Sequence, residues 1–474
     1  MTEALSPTPR RTRVLLISPD VVGPRMAGSG IRAWNLARVL APSCDVLLAA
    51  PTSGAVATPG FRLLSVTLDA PAEIDEALAW AEVVVSNGNL LHDYPQLTDL
   101  SVPWVVDAYV PTPTEALAAN QHRDQAERLA GHAVDTRAVN RFLARADLVL
   151  CASERQRDLY LGLLAALGRL NPLNYDADPS LRALVDVVPY GLPAEPPVHT
   201  RAVLKGAEPG IRPEDKVLLW GGGIWNWFDP LTLIEAVALV AAQRDDVRLC
   251  FPGARHPYVE RVPDMEMRAR AAALADSLGL TDRHVFFREW TAYEDRPNYL
   301  LEADLGVSMH PAGLEARFSY RTRMLDYLWA GLPMVVSDGD LFADLVRAHG
   351  LGRVVAPGDV QGLATAILGL LAEPDARGSR AEAFRRVAAG MSWEVVARPL
   401  IAFCQRPHLA PDRQAGYTSG DPYEVATLRR DAEEARQRIE ALEALVAGYQ
   451  NGRLMRALAA LQGWRQRLPW RKKT

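Results

Sequence analysis

The segment His310–Val336, HPAGLEARFSYRTRMLDYLWAGLPMVV, gathers residue types that do chemistry. It holds Glu315, Arg317, Arg321, Arg323 and Asp326, and it follows an apolar, strand-like run from Ala303 to Met309. It then reads as a short helix stopping at Gly331, Leu332 and Pro333. Strand, charged loop, helix start is where open α/β sheets bind ligands, outside the carboxyl ends of the strands. Arginines and helix-start N–H groups hold phosphate, and carboxylates accept from sugar hydroxyls, so an anionic ligand with hydroxyls is expected here. The plainer alternative is a solvated salt-bridge cluster; acids and arginines mixed at a strand end speak against it.

Three other places carry candidate chemistry. GGGIWNWFDP (Gly221–Pro230) follows a strand, and a helix is expected near Pro230 with Asp229 as its N-cap. Gly221, Gly222 and Gly223 permit close ligand approach, and Trp225 and Trp227 would line a sugar or base pocket or else pack between domains. The loop Gly23–Gly30, with Gly28 and Gly30, lies between a strand and a helix expected from Ile31 to Leu40, and Arg32 adds charge beside it. Such a loop holds a pyrophosphate or is simply a tight turn. Asp107, ending the run PWVVDAYVP, is placed either to orient an acceptor hydroxyl or to cap a loop. His92 and His132 stand alone in polar context and read as surface residues.

The elements that would position these residues recur in two series. RVLLIS, CDVLLAAP, FRLLSV, AEVVVSN, PWVVDAY, ADLVLCAS and VDVVPYG are short apolar runs, mostly separated by helical stretches. Apolar rather than alternating strands argue for a doubly wound parallel sheet. The proline-rich Val185–Thr200 reads as a linker, after which KVLLWGGG, VRLCFPG, HVFFREW, ADLGVSM, GLPMVVS and LGRVVAPGD begin a second α/β series. The expected fold is α/β, two tandem Rossmann-like doubly wound domains over 13–190 and 205–390, with a helical crossover at 391–405 and a C-terminal helical, coiled-coil extension over 423–474.

Composition bounds the rest. A chain of 474 residues, 49% hydrophobic, is long enough for two or three domains. A net charge of −5 gives no reason to expect nucleic acid. Cys44, Cys151, Cys250 and Cys404 lie far apart with no CxxC spacing, so neither a zinc site nor a disulfide framework is expected, and no metal-ligand cluster is evident. A polar N-terminus without an apolar signal core, and no apolar run of ~18 residues, favour a cytoplasmic setting without a membrane-spanning helix.

From Tyr423 the pattern changes. Val425, Leu428, Ala432, Ala435, Ile439, Leu442, Val446 and Tyr449 follow heptad spacing, a coiled-coil seam that would make a homo-oligomer through 423–450. Residues 451–474 carry seven basic and no acidic residues, interleaved with Leu454, Leu458, Leu461, Trp464, Leu468 and Trp470. That suits peripheral contact with an anionic membrane face; a single charged helix and a solubilising tail is the alternative.

Together the motifs resemble those of GT-B glycosyltransferases of the retaining group 1, family 4 class, over about residues 13–405. In that family a proline-led P-x-x-x-E is followed by a second Glu at the start of the helix ending A-x-G-x-P-V-V. Pro311 and Glu315 match the first part, and Asp326 stands where the second Glu is expected, five residues before Gly331. Ten residues separate the two acids where the family has seven, and the second is Asp. MAGSGIRAWNLARVL and VVAPGDVQGLATAI match the family's N-terminal glycine loop and closing strand–loop–helix. The resemblance implies that Glu315 contacts the donor sugar and Asp326 the ribose. The family's Arg and Lys that grip the diphosphate are missing from GGGIWNWFDP, so Arg321 or Arg323 is expected to supply that charge. The first-domain catalytic His is not evident, and Asp107 lies near its expected place.

The implied reaction moves a sugar from a nucleotide diphosphate sugar to the hydroxyl of a glycan, lipid-linked or small-molecule acceptor, with retention, no cofactor and no metal. The tail points to cell-surface polysaccharide or glycolipid synthesis. The rival readings are a nucleotide-sugar epimerase, which needs no acceptor, and a non-catalytic glycan- or nucleotide-binding assembly protein. A NAD-dependent dehydrogenase is disfavoured, because no GxGxxG with a downstream ribose acid stands out.

Overall fold

The structure is a computed structural model that describes residues 10–68, 70–254, 256, 265–417, 422–450 and 461. Seven strands form the first sheet: β1 (Arg13–Ile17), β2 (Asp45–Ala50), β3 (Arg62–Ser65), β4 (Val83–Asn87), β5 (Trp104–Asp107), β6 (Leu148–Cys151) and β7 (Val185–Val187). Their order is β3-β2-β1-β4-β5-β6-β7, and every pairing is parallel. The second sheet holds β8 (Lys216–Leu219), β9 (Val247–Pro252), β10 (Val285–Arg288), β11 (Leu305–Ser308), β12 (Met334–Ser337) and β13 (Gly352–Val355). Its order, β10-β9-β8-β11-β12-β13, is again all parallel.

Each strand is one of the apolar runs, and the central ones are buried on both faces as in a parallel sheet covered by helices, while the edge strands β3 and β13 are partly exposed. Val14, Leu15, Val84, Val106, Val217, Leu218 and Val335 are wholly buried. The expected linker begins later than its proline content suggested: Val185–Val187 is the last strand of the first sheet, pairing with Val149–Cys151. Strand order reverses direction between β1 and β4 and again between β8 and β11. A crevice opens at each such switch point, outside the strand ends, and the two crevices belong to one compact unit ending at Tyr417.

The chain returns to its first half after the second sheet. Helices Trp393–Val396 and Arg398–Gln405 pack on the helix Gly28–Leu40. Leu192 N donates to Met391 O at 2.7 Å and Trp393 N to Leu192 O at 3.1 Å. Trp393 is buried, its ring centroid 4.8 Å from that of Tyr190. A Cβ on Gly191 would lie 2.7 Å from the Trp393 ring, so only glycine fits beneath it. Beyond Gln405, Asp412 accepts from the buried Arg169 at 2.6 Å and fastens residues 411–417 to the first half.

The second unit begins at Thr418 and holds one described helix, Pro422–Gln450. Of the heptad side chains described there, Ile439, Leu442 and Val446 are more than half exposed. The basic tail 451–474 lies outside the described residues apart from Leu461. Among the described residues no helix is long and apolar enough to cross a membrane, and the four cysteines are free and buried.

Candidate functional site

A cavity of about 850 Å³ lies between the two sheets and takes in both crevices. Its second-half wall includes the loops that leave β8 and β11, either side of the switch point, and residues that follow β9 and β10, among them His256, Trp290 and Arg296. Gly28, Gly221, Gly222, Gly223, Trp225, Trp227, Glu315, Arg321, Arg323 and Asp326 all line it. Gly30, Arg32 and Asp107 do not.

The loop after β8 is fixed from below. Tyr327, fully buried, donates its hydroxyl to Leu219 O at 2.8 Å and Val307 O at 3.0 Å, tying β8 to β11. The same oxygen accepts from Gly221 N at 2.8 Å. The Gly221 N–H is therefore spent inside the protein, contrary to its expected role toward a ligand. Gly222 and Gly223 N–H have no hydrogen-bond partner among the described residues. Gly222 adopts φ 96° over open space, a conformation that favours glycine. Asp229 caps the following helix, Pro230–Ala241, accepting from Thr232 N at 3.0 Å as expected. Trp225 and Trp227 stack on each other at 5.7 Å and 8°.

The charged segment after β11 is more ordered than a loop. Leu314–Phe318 is a short helix carrying Glu315, and Thr322–Ala330 is a second that ends at Gly331 with φ 62°. Arg321 is buried and paired: its guanidinium donates to Glu315 Oε2 at 2.6 Å and lies 3.5 Å from Asp340 Oδ2. His310 Nε2 lies 3.5 Å from the same Asp340 oxygen. Burial pushes the Asp340 pKa up, but His310 and Arg321 more than offset this and hold it below the usual carboxylate range. Glu315 Oε1 is left buried without a partner.

Arg323 is held differently. It is buried, with its guanidinium 4.0 Å from the Phe228 ring centroid and 4.2 Å from that of Trp220. One nitrogen donates to Gly223 O at 3.0 Å, and the other terminal nitrogen has no partner. No carboxylate pairs with it among the described residues, and burial lowers its pKa to about 9. Asp326 is not free as the ribose role would have it; it faces Arg296 at 3.3 Å. Burial raises its pKa, and Arg296 and Arg323 partly offset that.

In the first half three expectations change. Gly28 and Gly30 belong to the first turn of the helix Gly28–Leu40, not to the loop before it. A Cβ on Gly30 would lie 2.3 Å from Val21 O, so this glycine serves backbone packing; Gly28 faces Thr322 across the cavity. Arg32 is not available to a phosphate, because it donates to Asp107 Oδ2 at 2.7 Å and Oδ1 at 2.8 Å, and to the Val188 and Pro189 carbonyls. Asp107, expected to orient an acceptor hydroxyl, does not line the cavity, and both of its carboxylate oxygens accept from Arg32. The cavity instead receives Tyr109, whose hydroxyl is 3.0 Å from Ser29 Oγ and whose pKa burial raises to about 12. It also receives Glu115, in the first turn of the helix Thr112–Ala119, with its pKa raised to about 7 by burial and the nearby Glu315.

Sequence reading passed over Tyr109 and Glu115. The available signal was position: both follow the carboxyl end of β5, where open α/β sheets place ligands. The two halves touch across the cavity. Gln156 Nε2 donates to Tyr109 O at 2.9 Å and to Phe318 O at 2.8 Å, and Tyr293 N donates to Pro24 O at 2.9 Å. Among the described residues no group of three or more His, Cys, Asp or Glu side chains is arranged to hold a metal ion.

Residues 215–373 match the family model described as glycosyl transferases group 1. No curated protein matches the chain. Among solved structures, sucrose-phosphate synthase from Thermosynechococcus elongatus is similar at TM-score 0.56 and 19% identity, over 82% of this chain and 97% of that one. HepE from Anabaena, in complex with UDP-glucose, is similar at TM-score 0.58 and 14% identity, over 83% and 98%. WaaG, a glycosyltransferase involved in lipopolysaccharide biosynthesis, is similar at TM-score 0.56 and 17% identity, over 83% and 100%. The chain therefore has the GT-B fold, and its residues 215–373 are similar to the group 1 glycosyl transferases.

Proposed function

We propose that the protein transfers a hexosyl group from a nucleotide diphosphate sugar to an acceptor hydroxyl, with retention at the anomeric carbon and without a metal ion. The observation that carries this reading is Arg323: a buried cation lining the cavity, with one guanidinium nitrogen unpartnered and no ion pair to a carboxylate among the described residues. A buried charge left in this state is costly unless an anion completes it. Arg323 with the Gly222 and Gly223 N–H groups is a fixed set of donors for a departing diphosphate, and donors aimed where charge develops supply much of the catalysis in such sites. The free Glu315 oxygen suits a hydroxyl of the donor sugar. Asp326, though engaged with Arg296, retains the ribose role that the resemblance implies. The UDP-glucose bound by the structural neighbour HepE supports a nucleotide sugar as the ligand.

The acceptor is a glycan, a lipid-linked sugar or a small molecule, and we place the reaction in cell-surface polysaccharide or glycolipid synthesis at the cytoplasmic face of a membrane. Residues 451–474 would hold it there, and 423–450 would make the homo-oligomer. Co-sedimentation with anionic liposomes, with and without 451–474, tests the first point: equal binding by both forms counts against it.

The central test is a panel of UDP-, GDP- and dTDP-sugars without added metal, scored by thermal stabilisation and nucleotide release. One donor that stabilises the fold and is slowly hydrolysed supports the transferase. Release of an altered sugar with its nucleotide still attached favours an epimerase, and no binding at all favours a non-catalytic assembly protein. The anomeric configuration of the product, read by NMR, tests retention.

A further inference from the structure

The carboxyl ends of β11 and β12 carry a charged cluster behind the cavity wall. The two strands pair in parallel, so the segments leaving them start side by side. His310 follows β11 and Asp340 follows β12. His310 N donates to Ser337 Oγ at 3.1 Å, which fastens the two strand ends together. His310, Arg321 and Asp340 are all buried, and neither His310 nor Asp340 lines the cavity. The transfer reaction described above uses neither of them.

Asp340 divides its two oxygens between two tasks. Oδ1 accepts from Ala343 N at 2.8 Å and caps the helix Leu341–His349. Oδ2 lies 3.5 Å from Arg321 Nε and 3.5 Å from His310 Nε2. A helix cap needs only one oxygen, which Asn or Ser supplies without a charge, and a buried carboxylate is costly unless it is paired. The second oxygen therefore calls for a separate account, and Arg321 supplies it. Its guanidinium is fixed on three sides: Nε toward Asp340, Nη2 donating to Glu315 Oε2 at 2.6 Å, and its central carbon 4.8 Å from the Phe228 ring centroid. Glu315 lines the cavity, and with Oε2 held its Oε1 is buried without a partner.

We propose that Asp340 is a positioning residue for the donor sugar: by holding the Nε edge of Arg321 it keeps Glu315 bonded through one oxygen and leaves the other for a sugar hydroxyl. This rests on the transferase reading above, in which Glu315 Oε1 takes that hydroxyl. Arginine and carboxylate side chains favour a two-point fork, which uses both carboxylate oxygens. Asp340 competes for one arm of the fork, so Arg321 spans two acids and closes on neither. Without that charge Arg321 turns fully onto Glu315 and consumes the oxygen meant for the sugar. Arg323 is anchored elsewhere, on Gly223 O, so the grip on the diphosphate is untouched. The effect of Asp340 is thus confined to the sugar part of the donor.

The test is calorimetric titration of the full-length protein with two ligands: the donor selected by the nucleotide-sugar panel, and the nucleoside diphosphate of the same base. Asp340→Asn keeps an oxygen for the helix cap and removes the charge. It is expected to leave the Kd of the nucleoside diphosphate within about twofold and to raise that of the nucleotide sugar by about 10-fold or more. Equal losses for both ligands mean a merely structural role and overturn the proposal, as does no loss for either. Glu315→Gln is expected to show the same selective loss, and the double variant to be no worse than the single ones, because both act on one contact; additive losses overturn the route through Glu315. If Asp340→Asn does not fold, Arg321→Lys decides: it keeps a cation between the acids but has no fork to span them, and unchanged nucleotide-sugar binding overturns the proposal. Failure of the transferase reading is distinguishable, because the wild-type protein then binds neither ligand.

Discussion

Arg321 and Arg323, two residues apart, are held in contrasting electrostatic states. Arg321 donates to Glu315 Oε2 at 2.6 Å, whereas Arg323 donates only to a carbonyl, Gly223 O, at 3.0 Å. The first arginine organises the protein's own acid, and the second waits for a foreign one. Arg323→Ala should therefore weaken donor binding far more than it weakens the fold. Charge-assisted hydrogen bonds contribute about 1.5–3 kcal/mol, so a rise in donor Kd of about 10- to 100-fold is expected. Denaturant unfolding should show little loss, since an unpaired buried cation leaves with the side chain. Unchanged donor affinity would sink the assignment.

The Arg32–Asp107 pair makes the reverse prediction. Both carboxylate oxygens are used and the guanidinium also reaches two carbonyls of the segment leading out of β7. Asp107 more than offsets the effect of burial on Arg32, whose pKa lies above its ordinary value. Breaking such a pair from one side costs about 3–5 kcal/mol. Arg32→Ala and Asp107→Ala should each show a stability loss of that order by chemical denaturation, with the double variant costing less than the sum. Losses below about 1 kcal/mol, typical of an exposed pair, would contradict the structural role.

Glu115 gives a pH signature. Its pKa rises from an ordinary 4.5 to about 7 through burial and the Glu315 charge. Between those values the native state holds more protons than the unfolded state, so this group makes stability fall as pH rises. Its contribution is fully present below pH 4.5 and is lost as pH climbs through 7. Glu115→Gln should flatten that slope, gaining stability relative to wild type at pH 8 but not at pH 4.5. Thermal unfolding across this range checks it; parallel curves for the two proteins would rule it out.

Tyr327→Phe probes the floor of the glycine loop. The hydroxyl accepts from Gly221 N and donates to two strand carbonyls. Leaving buried backbone groups unpaired costs about 1–3 kcal/mol per group. A destabilisation of at least that size is expected, together with weaker donor binding, because the neighbouring Gly222 and Gly223 N–H groups lose their anchor. Loss of stability with donor affinity intact would separate the floor from the site.

The exposed apolar residues on the helix Pro422–Gln450 predict self-association. Ile439, Leu442 and Val446 follow heptad spacing and are 56%, 55% and 52% exposed. Light scattering on the full chain and on a form ending at Tyr417 should show an oligomer that becomes a monomer. A full chain that is already monomeric at tens of micromolar would remove the seam from consideration.

The strands were legible because a parallel sheet buried on both faces demands continuous apolar runs, and all thirteen stand out as such. The helix after Gly221–Gly223 was legible from Asp229 and Pro230, which act through neighbours in sequence. What stayed hidden depends on pairings distant in the chain. Arg32 and Asp107 are separated by 75 positions, and nothing local says that each consumes the other. Arg321 and Arg323 look alike in sequence; which one meets a carboxylate is decided by how Leu314–Phe318 folds back. Glu115 reads as an ordinary first-turn acid until the second sheet is laid over it.

The crossing of Leu192 and Ser392 has a mechanical meaning. Two separate passes of the chain, one leaving the first half and one coming back, run side by side there and share backbone hydrogen bonds. A cut in either pass would leave the two halves tied by the other, so the joint between the sheets does not depend on the outgoing linker alone.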